Sequence, residues 1–142
     1  MNVKVDWSGN MTFTATSGSG HQVLMDGPPA AGGENKGPRP MEMMLMGMGG
    51  CTSFDVKAML NKSRQDVTGC EVELQAERAD AVPAVFTKIH CHFKVTGRNL
   101  KEALVKRAVA LSAEKYCSAS IMFNDAGVEI SHSYEIHQQD LA

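Results

Sequence analysis

The stretch PMEMMLMGMGGCTSFDVKAML, residues 40–60, decides the fold that we expect for this chain. Five of the ten methionines fall within residues 41–48, so a helix built from this run has apolar side chains on every side. A helix of that kind is typical of a buried position. Three glycines lie within residues 47–50, and each costs about 1 kcal/mol relative to alanine in a helix interior. They indicate close approach by another backbone or a ligand, directly beside the thiol of Cys51.

The flanking sequence predicts an α+β protein with a mainly antiparallel sheet around this long, buried central helix. Three short alternating segments precede a loop rich in proline and glycine, two longer alternating segments follow the helix, and a second helix and a last strand complete the chain. Asn99, with Glu102 three residues later, predicts the start of the second helix. The expected elements are strands at 2–8, 11–16, 20–25, 70–78, 85–96 and 128–136, and helices at 40–64 and 100–116, followed by a short helix from Ser118 to Met122.

Length and composition restrict the function classes that need to be considered. The 142 residues fit one domain, and 43% apolar with 21% charged residues is ordinary for a globular protein. A net charge of -2 without a basic run indicates neither nucleic acid nor an anionic membrane as a partner. Residues 41–48 are too short to span a bilayer, and the first residues lack the pattern of a signal peptide. We therefore expect a cytoplasmic protein.

Four cysteines offer the clearest candidates for chemistry, and no two of them have the CxxC spacing of a zinc site. Cys70 and Cys91 fall in the inward phase of neighbouring strands, which predicts buried core thiols. Cys51 and Cys117 lie at junctions of helical segments, where both a core role and a reactive role stay open. A peroxide-reducing thiol must be a thiolate, must be reachable, and needs a second thiol to resolve its sulfenic acid. Cys117 is the candidate for that second thiol.

The segment PMEMMLMGMGGCT, followed 66 positions after its cysteine by the cysteine of YCSAS, resembles the OsmC/Ohr family. The resemblance covers nearly the whole chain and implies an OsmC-like fold in an intertwined homodimer, with long central helices packed across the twofold axis. It implies a thiol-dependent peroxidase of organic hydroperoxides in oxidative-stress defence, with Cys51 peroxidatic and Cys117 resolving. A dithiol such as a lipoyl group, or a small thiol, would be the reductant, and neither a cofactor nor a metal is expected.

The sequence differs from the family pattern around the residues that activate the thiolate, which are an Arg and a Glu in the studied reductases. Met41 stands at the position of that Glu, the carboxylate belongs instead to Glu42, and Arg39 is the only arginine before Cys51. Ser118 stands where a proline usually follows the second cysteine. On a straight helix Glu42 faces away from Cys51, about 13 Å along the axis. Glu42 therefore either reaches a site across a dimer interface or is a charge favoured at the helix N-terminus.

Two other functions are consistent with the residues. A dimeric pocket lined by the methionines and the 26–39 loop would bind a small apolar or electrophilic ligand, with Cys51 as a contact or redox sensor. His90 and His92 point to the same side of a predicted strand, which is compatible with a metal site. Paired surface histidines are more often simply solvated.

Overall fold

A computed structural model describes residues 1–140 of the protein. Helices α1, α2 and α3 span Pro40–Lys62, Glu102–Leu111 and Ser118–Asp125, and a π-helical turn, Ser112–Tyr116, joins α2 to α3. No helix among these residues is long and apolar enough to cross a membrane. The strands are β1 (Val3–Trp7), β2 (Phe13–Ser17), β3 (Gln22–Met25), β4 (Asp66–Arg78), β5 (Phe86–Arg98) and β6 (Glu129–Gln138).

Contacts divide the chain into two compact units, residues 1–46 and the residues from Gly47 onward, with the boundary inside α1. The first unit contains the three-stranded antiparallel sheet β1–β2–β3, as the alternating pattern predicted. Its first turn contains Gly9 and Asn10, both at positive φ. Gly9 adopts this conformation readily because it has no β-carbon, and asparagine tolerates it better than most residues.

The long loop of the first unit is organised around the buried carboxylate of Asp26, which is 2% exposed. The carboxylate accepts hydrogen bonds from the Gly27 amide at 2.7 Å, from the Glu34 and Lys36 amides at 3.2 Å, and from the Thr12 hydroxyl at 3.1 Å. Burial raises the pKa of this carboxyl, but the hydrogen bonds outweigh burial and the net effect lowers its pKa. The loop therefore has a fixed conformation that one ionised side chain stabilises.

We expect Asp26→Asn to open this loop locally. One oxygen of the Asp26 carboxylate accepts three hydrogen bonds, from Thr12, Glu34 and Lys36, and the NH₂ group of asparagine is a donor that cannot accept them. Hydrogen exchange of the Glu34 and Lys36 amides should then be faster than in the wild type. Because folding lowers the pKa of Asp26, its stabilisation is fully present above the unfolded pKa and is lost as the pH falls through the folded pKa. The difference in amide exchange between the wild type and Asp26→Asn should therefore shrink as the pH falls through the folded pKa of Asp26. Asp6→Asn, on the exposed strand β1, is the matched control, and equal protection in all three proteins would contradict the prediction.

The second unit contains a three-stranded sheet in the order β4–β5–β6. Strands β4 and β5 are antiparallel, as predicted, whereas β6 pairs with β5 in parallel. Three of the four strand pairings in the two sheets of residues 1–140 are antiparallel, so the prediction of mainly antiparallel pairing is confirmed. Residues 99–128 connect the two parallel strands and contain α2, the π-helical turn and α3. A helical crossover of this length returns the chain to the same end of the sheet, which makes parallel pairing possible.

Helix α1 is long, as predicted, but the single chain buries it along one stripe and not on all sides. In the second unit this stripe consists of Met48, Gly49, Thr52, Val56 and Leu60. Other apolar side chains of α1 are exposed in this chain, among them Met44, Met46 and Phe54. The expected burial is incomplete because apolar residues surround the helix, whereas the elements of one chain cover only part of it.

One of the three glycines of α1 lies against a neighbouring element, but the neighbour is a side chain and not the predicted backbone or ligand. A β-carbon at Gly49 would lie 2.9 Å from Leu74 Cδ1 of β4, which is too close for an ordinary contact. A β-carbon at Gly47 or Gly50 would meet no atom of another element within 4 Å. Gly49 therefore allows α1 to pack tightly on the sheet of the second unit, and the neighbour is a side chain instead of a backbone or ligand.

The predicted start of the second helix is wrong by two residues. Asn99 has a φ of 51° and lies outside the helix, so it cannot form the expected capping box with Glu102. Lys101 is the N-cap residue, and its amide donates to the Gln65 side chain at 2.9 Å. The amide at the start of α2 is therefore hydrogen-bonded by Gln65, a residue distant in sequence, and not by a nearby capping side chain such as Glu102.

Candidate functional site

The second unit brings together Cys51 and Cys117, which are 66 positions apart in the chain. Their sulfur atoms and a carboxylate oxygen of Asp55 all lie within 4.8 Å of one another. Both cysteines are free thiols in this structure. A disulfide has an S–S bond of about 2.05 Å, so the two sulfurs would have to approach each other to form one.

The π-helical turn after α2 places Cys117 beside α1. Its wide turn is closed by a hydrogen bond of 2.8 Å from the Cys117 amide to the Ser112 carbonyl. The buried Ser112 hydroxyl also forms hydrogen bonds with Thr52 Oγ1 at 2.7 Å and with Asp55 Oδ2 at 3.2 Å. These contacts join the turn to the face of α1 that carries Cys51. Single π-helical turns of this kind occur frequently at functional sites.

The two thiols differ in accessibility, and the pKa of the buried thiol is raised. Cys51 is half-buried, whereas Cys117 is 0% exposed. Burial raises the pKa of the Cys117 thiol and the neighbouring Cys51 raises it further, while hydrogen bonds from Ser120, including its amide at 3.4 Å, lower it by less. Cys117 is therefore kept protonated at neutral pH and away from solvent, and Cys51 is the thiol that a solute can reach.

Of the other two cysteines, Cys91 has the buried core position that its strand phase predicted, whereas Cys70 is only partly buried. Cys91 is 3% exposed, and burial, with a smaller contribution from Cys117, raises its pKa to about 11. Cys70 is half-buried, and burial likewise raises its pKa, partly opposed by Lys57. A raised pKa keeps both thiols protonated, and a protonated thiol is a poor nucleophile. Cys91 is also enclosed, whereas Cys70 is not.

Three polar residues of this site, Thr52, Asp55 and Ser112, were missed in the sequence. Asp55 follows Cys51 by four positions on the same helix, so the two side chains share one face. That spacing could have identified Asp55 from the sequence. No sequence pattern identifies Ser112, because its role depends on the π-helical turn and on contacts across 57 and 60 positions.

Glu42 and Arg39, the other two predicted site residues, belong to the first unit, where both have partners. A carboxylate oxygen of Glu42 accepts the Arg39 backbone amide at 2.9 Å, and Pro40 begins the helix between them. This is one of the two hydrogen bonds of a capping box, the one in which a glutamate in the first turn accepts the backbone amide of the residue before the helix. The Arg39 guanidinium donates to Asn35 Oδ1 at 2.8 Å and to the Gly37 carbonyl at 3.3 Å. These contacts account for Glu42 at the helix N-terminus, and a catalytic role for either residue stays a prediction.

A groove of about 630 Å³ lies on the second unit, and Asp55 is one of its lining residues. Its apolar lining includes Met59, Leu104 and Leu111, and its cationic lining comprises Lys62 and Arg107. The methionines of residues 41–48 and the 26–39 loop, which we expected to line a pocket, do not line this groove.

The histidine pair on β5 forms hydrogen bonds to serines of the parallel strand β6. His90 contacts Ser131 at 2.7 Å and Ser133 at 2.8 Å, and His92 contacts Ser133 at 2.7 Å. Within residues 1–140, the group of at least three potential ligands close enough to share one ion is Cys51, Asp55 and Cys117, and it contains no histidine. The histidines are therefore part of a polar network on the sheet.

Known proteins are similar to this chain over nearly its full length. The family described as OsmC-like protein matches residues 33–133. Protein YhfA of Escherichia coli strain K12 is 53% identical over 136 residues, covering 96% of this chain and 98% of its own. A structure from structural genomics is 51% identical with a TM-score of 0.88, covering 98% of this chain and 100% of its own.

A more distant solved structure supports the fold alone. The organic hydroperoxide resistance protein OsmC from Legionella pneumophila is 17% identical, with a TM-score of 0.70 and coverage of 94% of this chain and 95% of its own. The TM-scores indicate that these solved structures share the fold of this chain. From the matched family and the 53% identity to YhfA, we conclude that this chain belongs to the OsmC-like protein family.

Proposed function

We propose that this protein is a thiol-dependent peroxidase that reduces organic hydroperoxides and contributes to oxidative-stress defence. The observation that carries the proposal is the pairing of an accessible thiol, Cys51, with a buried one, Cys117, whose sulfur lies within 4.8 Å. The name of the Legionella relative, an organic hydroperoxide resistance protein, is consistent with this chemistry.

The reaction that we propose has three steps. The Cys51 thiolate attacks the outer oxygen of the hydroperoxide ROOH, the O–O bond breaks, and Cys51 sulfenic acid and the alcohol ROH form once the alkoxide takes a proton. The Cys117 thiol then displaces hydroxide from the sulfenic sulfur, giving a Cys51–Cys117 disulfide and water. A dithiol reductant restores both thiols and is itself oxidised to a disulfide.

A groove lined in part by Asp55 supports the approach of an organic hydroperoxide to this part of the second unit. Its apolar lining suits the organic part of a hydroperoxide, and a carboxylate oxygen of Asp55 lies within 4.8 Å of the Cys51 sulfur. The buried position of Cys117 supports its place in the second step, because a solute cannot reach it directly. The difference in burial between Cys51 and Cys117 therefore supports both parts of the proposal: Cys51 reacts with the hydroperoxide, and Cys117 reacts afterwards with the sulfenic acid.

The proposal includes a homodimer that works in a reducing compartment, the cytoplasm, where a dithiol is available. Exposed apolar side chains of α1, with Phe54 at 77%, support association with a second chain. Such a partner is the remaining route by which Glu42 and Arg39 would act on a thiol. We keep both residues as proposed contributors to thiolate activation, with the helix-capping contact of Glu42 as its role within one chain.

The test is to treat the reduced protein with one equivalent of cumene hydroperoxide and to map its disulfides by mass spectrometry. We expect a peptide pair joined through Cys51 and Cys117, together with cumyl alcohol as the product. Recovery of four free thiols with the hydroperoxide unconsumed would overturn the proposal.

A further inference from the structure

We propose that Cys51, Asp55 and Cys117 also form a binding site for a thiophilic divalent cation of the Zn²⁺ class. The site uses the same two thiols as the proposed peroxidase but does not depend on that activity. It adds Asp55, to which the peroxidase chemistry assigns no step. The spacing of the cysteines gave no indication of it, because two ligands lie on one helix and the third follows a π-helical turn.

The geometry of the three donors suits a tetrahedral metal ion. Two thiolates bound to zinc at about 2.3 Å are about 3.8 Å apart, and a carboxylate oxygen in the same tetrahedron is slightly closer. The three donor atoms here lie within 4.8 Å of one another, so changes in side-chain torsion of the kind a metal induces would bring them to these distances. Three protein ligands leave a fourth position for water or another small ligand.

Outer contacts already orient two of the ligands. The Ser112 hydroxyl contacts Asp55 Oδ2 at 3.2 Å, which leaves the other carboxylate oxygen available for a metal. The Ser120 amide donates to Cys117 Sγ at 3.4 Å, and this contact fixes the side chain of Cys117 at the N-terminus of α3. Hydrogen bonds to ligating side chains are a regular feature of protein metal sites, because they hold each ligand in its binding orientation.

The charge of the cluster also favours a cation. Within residues 1–140, Asp55 forms no salt bridge, although its carboxylate is half-buried and lies beside two sulfurs. A divalent cation would attract this carboxylate and both thiolates at once.

Metal binding and disulfide formation would exclude each other. On binding, the two thiols release two protons to solvent and donate their electron pairs to the cation, which keeps its oxidation state. Oxidation to the disulfide removes both thiolates, so the bound cation would leave. The same cluster would therefore hold a metal in its reduced form and release it when oxidised.

The experiment uses the full-length, tag-free, reduced protein under anaerobic conditions, with Zn²⁺ in competition against a chromogenic chelator. Co²⁺ in place of Zn²⁺ reports thiolate ligation through its charge-transfer absorption. We expect one Zn²⁺ per chain and a thiolate–cobalt band, with both lost in Cys51→Ser. Asp55→Asn keeps the size of the side chain and should weaken binding by at least about tenfold. Cys70→Ser, which removes a thiol outside the cluster, should bind as the wild type does.

A second measurement uses the unmutated chain, so it does not depend on the folding of a variant. Wild-type protein alkylated at the accessible Cys51 should lose the cobalt band, while the same protein before alkylation shows it. Three results would overturn the proposal: no thiolate–cobalt band in the reduced wild type, a band that persists after alkylation of Cys51, or equal affinities for Asp55→Asn and the wild type. None of these readouts involves hydroperoxide, so failure of the metal site and failure of the peroxidase are distinguished.

Discussion

The substitution Cys51→Ser is expected to lower the rate of hydroperoxide consumption by at least about a hundredfold, because it removes the nucleophile that forms the covalent intermediate. The replacement is nearly isosteric and the site is half-buried, so the fold should be retained. The rate is measured with cumene hydroperoxide and a dithiol reductant, and thermal unfolding verifies that the variant is folded.

The control for this prediction is Cys70→Ser, which makes the same chemical change at a half-buried thiol on β4. It should consume hydroperoxide at the wild-type rate. If Cys51→Ser were as active as this control, the peroxidase would be excluded. A non-catalytic or redox-sensing protein that binds small ligands would then be favoured, and a ligand that raises the thermal stability of both variants would support it.

The second large effect is expected for Cys117→Ser, which should still react once with hydroperoxide but should not complete the cycle. Without the buried thiol, the Cys51 sulfenic acid has no intramolecular partner and is open to further oxidation. Excess hydroperoxide should therefore convert Cys51 to sulfinic and sulfonic acid, seen by intact mass spectrometry as the gain of two and three oxygen atoms.

The wild type under the same conditions should instead lose two hydrogen atoms, as disulfide formation requires. Cys70→Ser should match the wild type in this assay as well. The resolving role of Cys117 would be contradicted if Cys117→Ser turned over repeatedly with the dithiol reductant and showed no oxygen addition at Cys51.

Much of the fold could be predicted because strand and helix periodicity is local. The alternation of Cys70, Val72 and Leu74 places them on one face of β4, and the structure confirms this. The parallel pairing of β6 could not be predicted, because an alternating segment looks the same in parallel and antiparallel sheets when only one face is buried. The incomplete burial of α1 has a similar cause, since composition shows which sides are apolar but not what covers them.

The candidate site was predicted in part. The cysteine pair came from the resemblance of two motifs, and the structure brings their sulfurs within 4.8 Å. Asp55 could have been found from its four-residue spacing to Cys51. Ser112 could not, because the π-helical turn that aims it at Thr52 and Asp55 has no local sequence signal. Contacts of this kind depend on the packing of distant segments.

The most direct test of the redox pair is peptide mapping of the wild type after one equivalent of hydroperoxide, with all remaining thiols alkylated before digestion. The pairing that we predict is a single disulfide between Cys51 and Cys117, with Cys70 and Cys91 recovered in alkylated form. A disulfide that involves Cys70 or Cys91 in place of Cys117, or Cys51 and Cys117 both recovered as alkylated thiols, would contradict it.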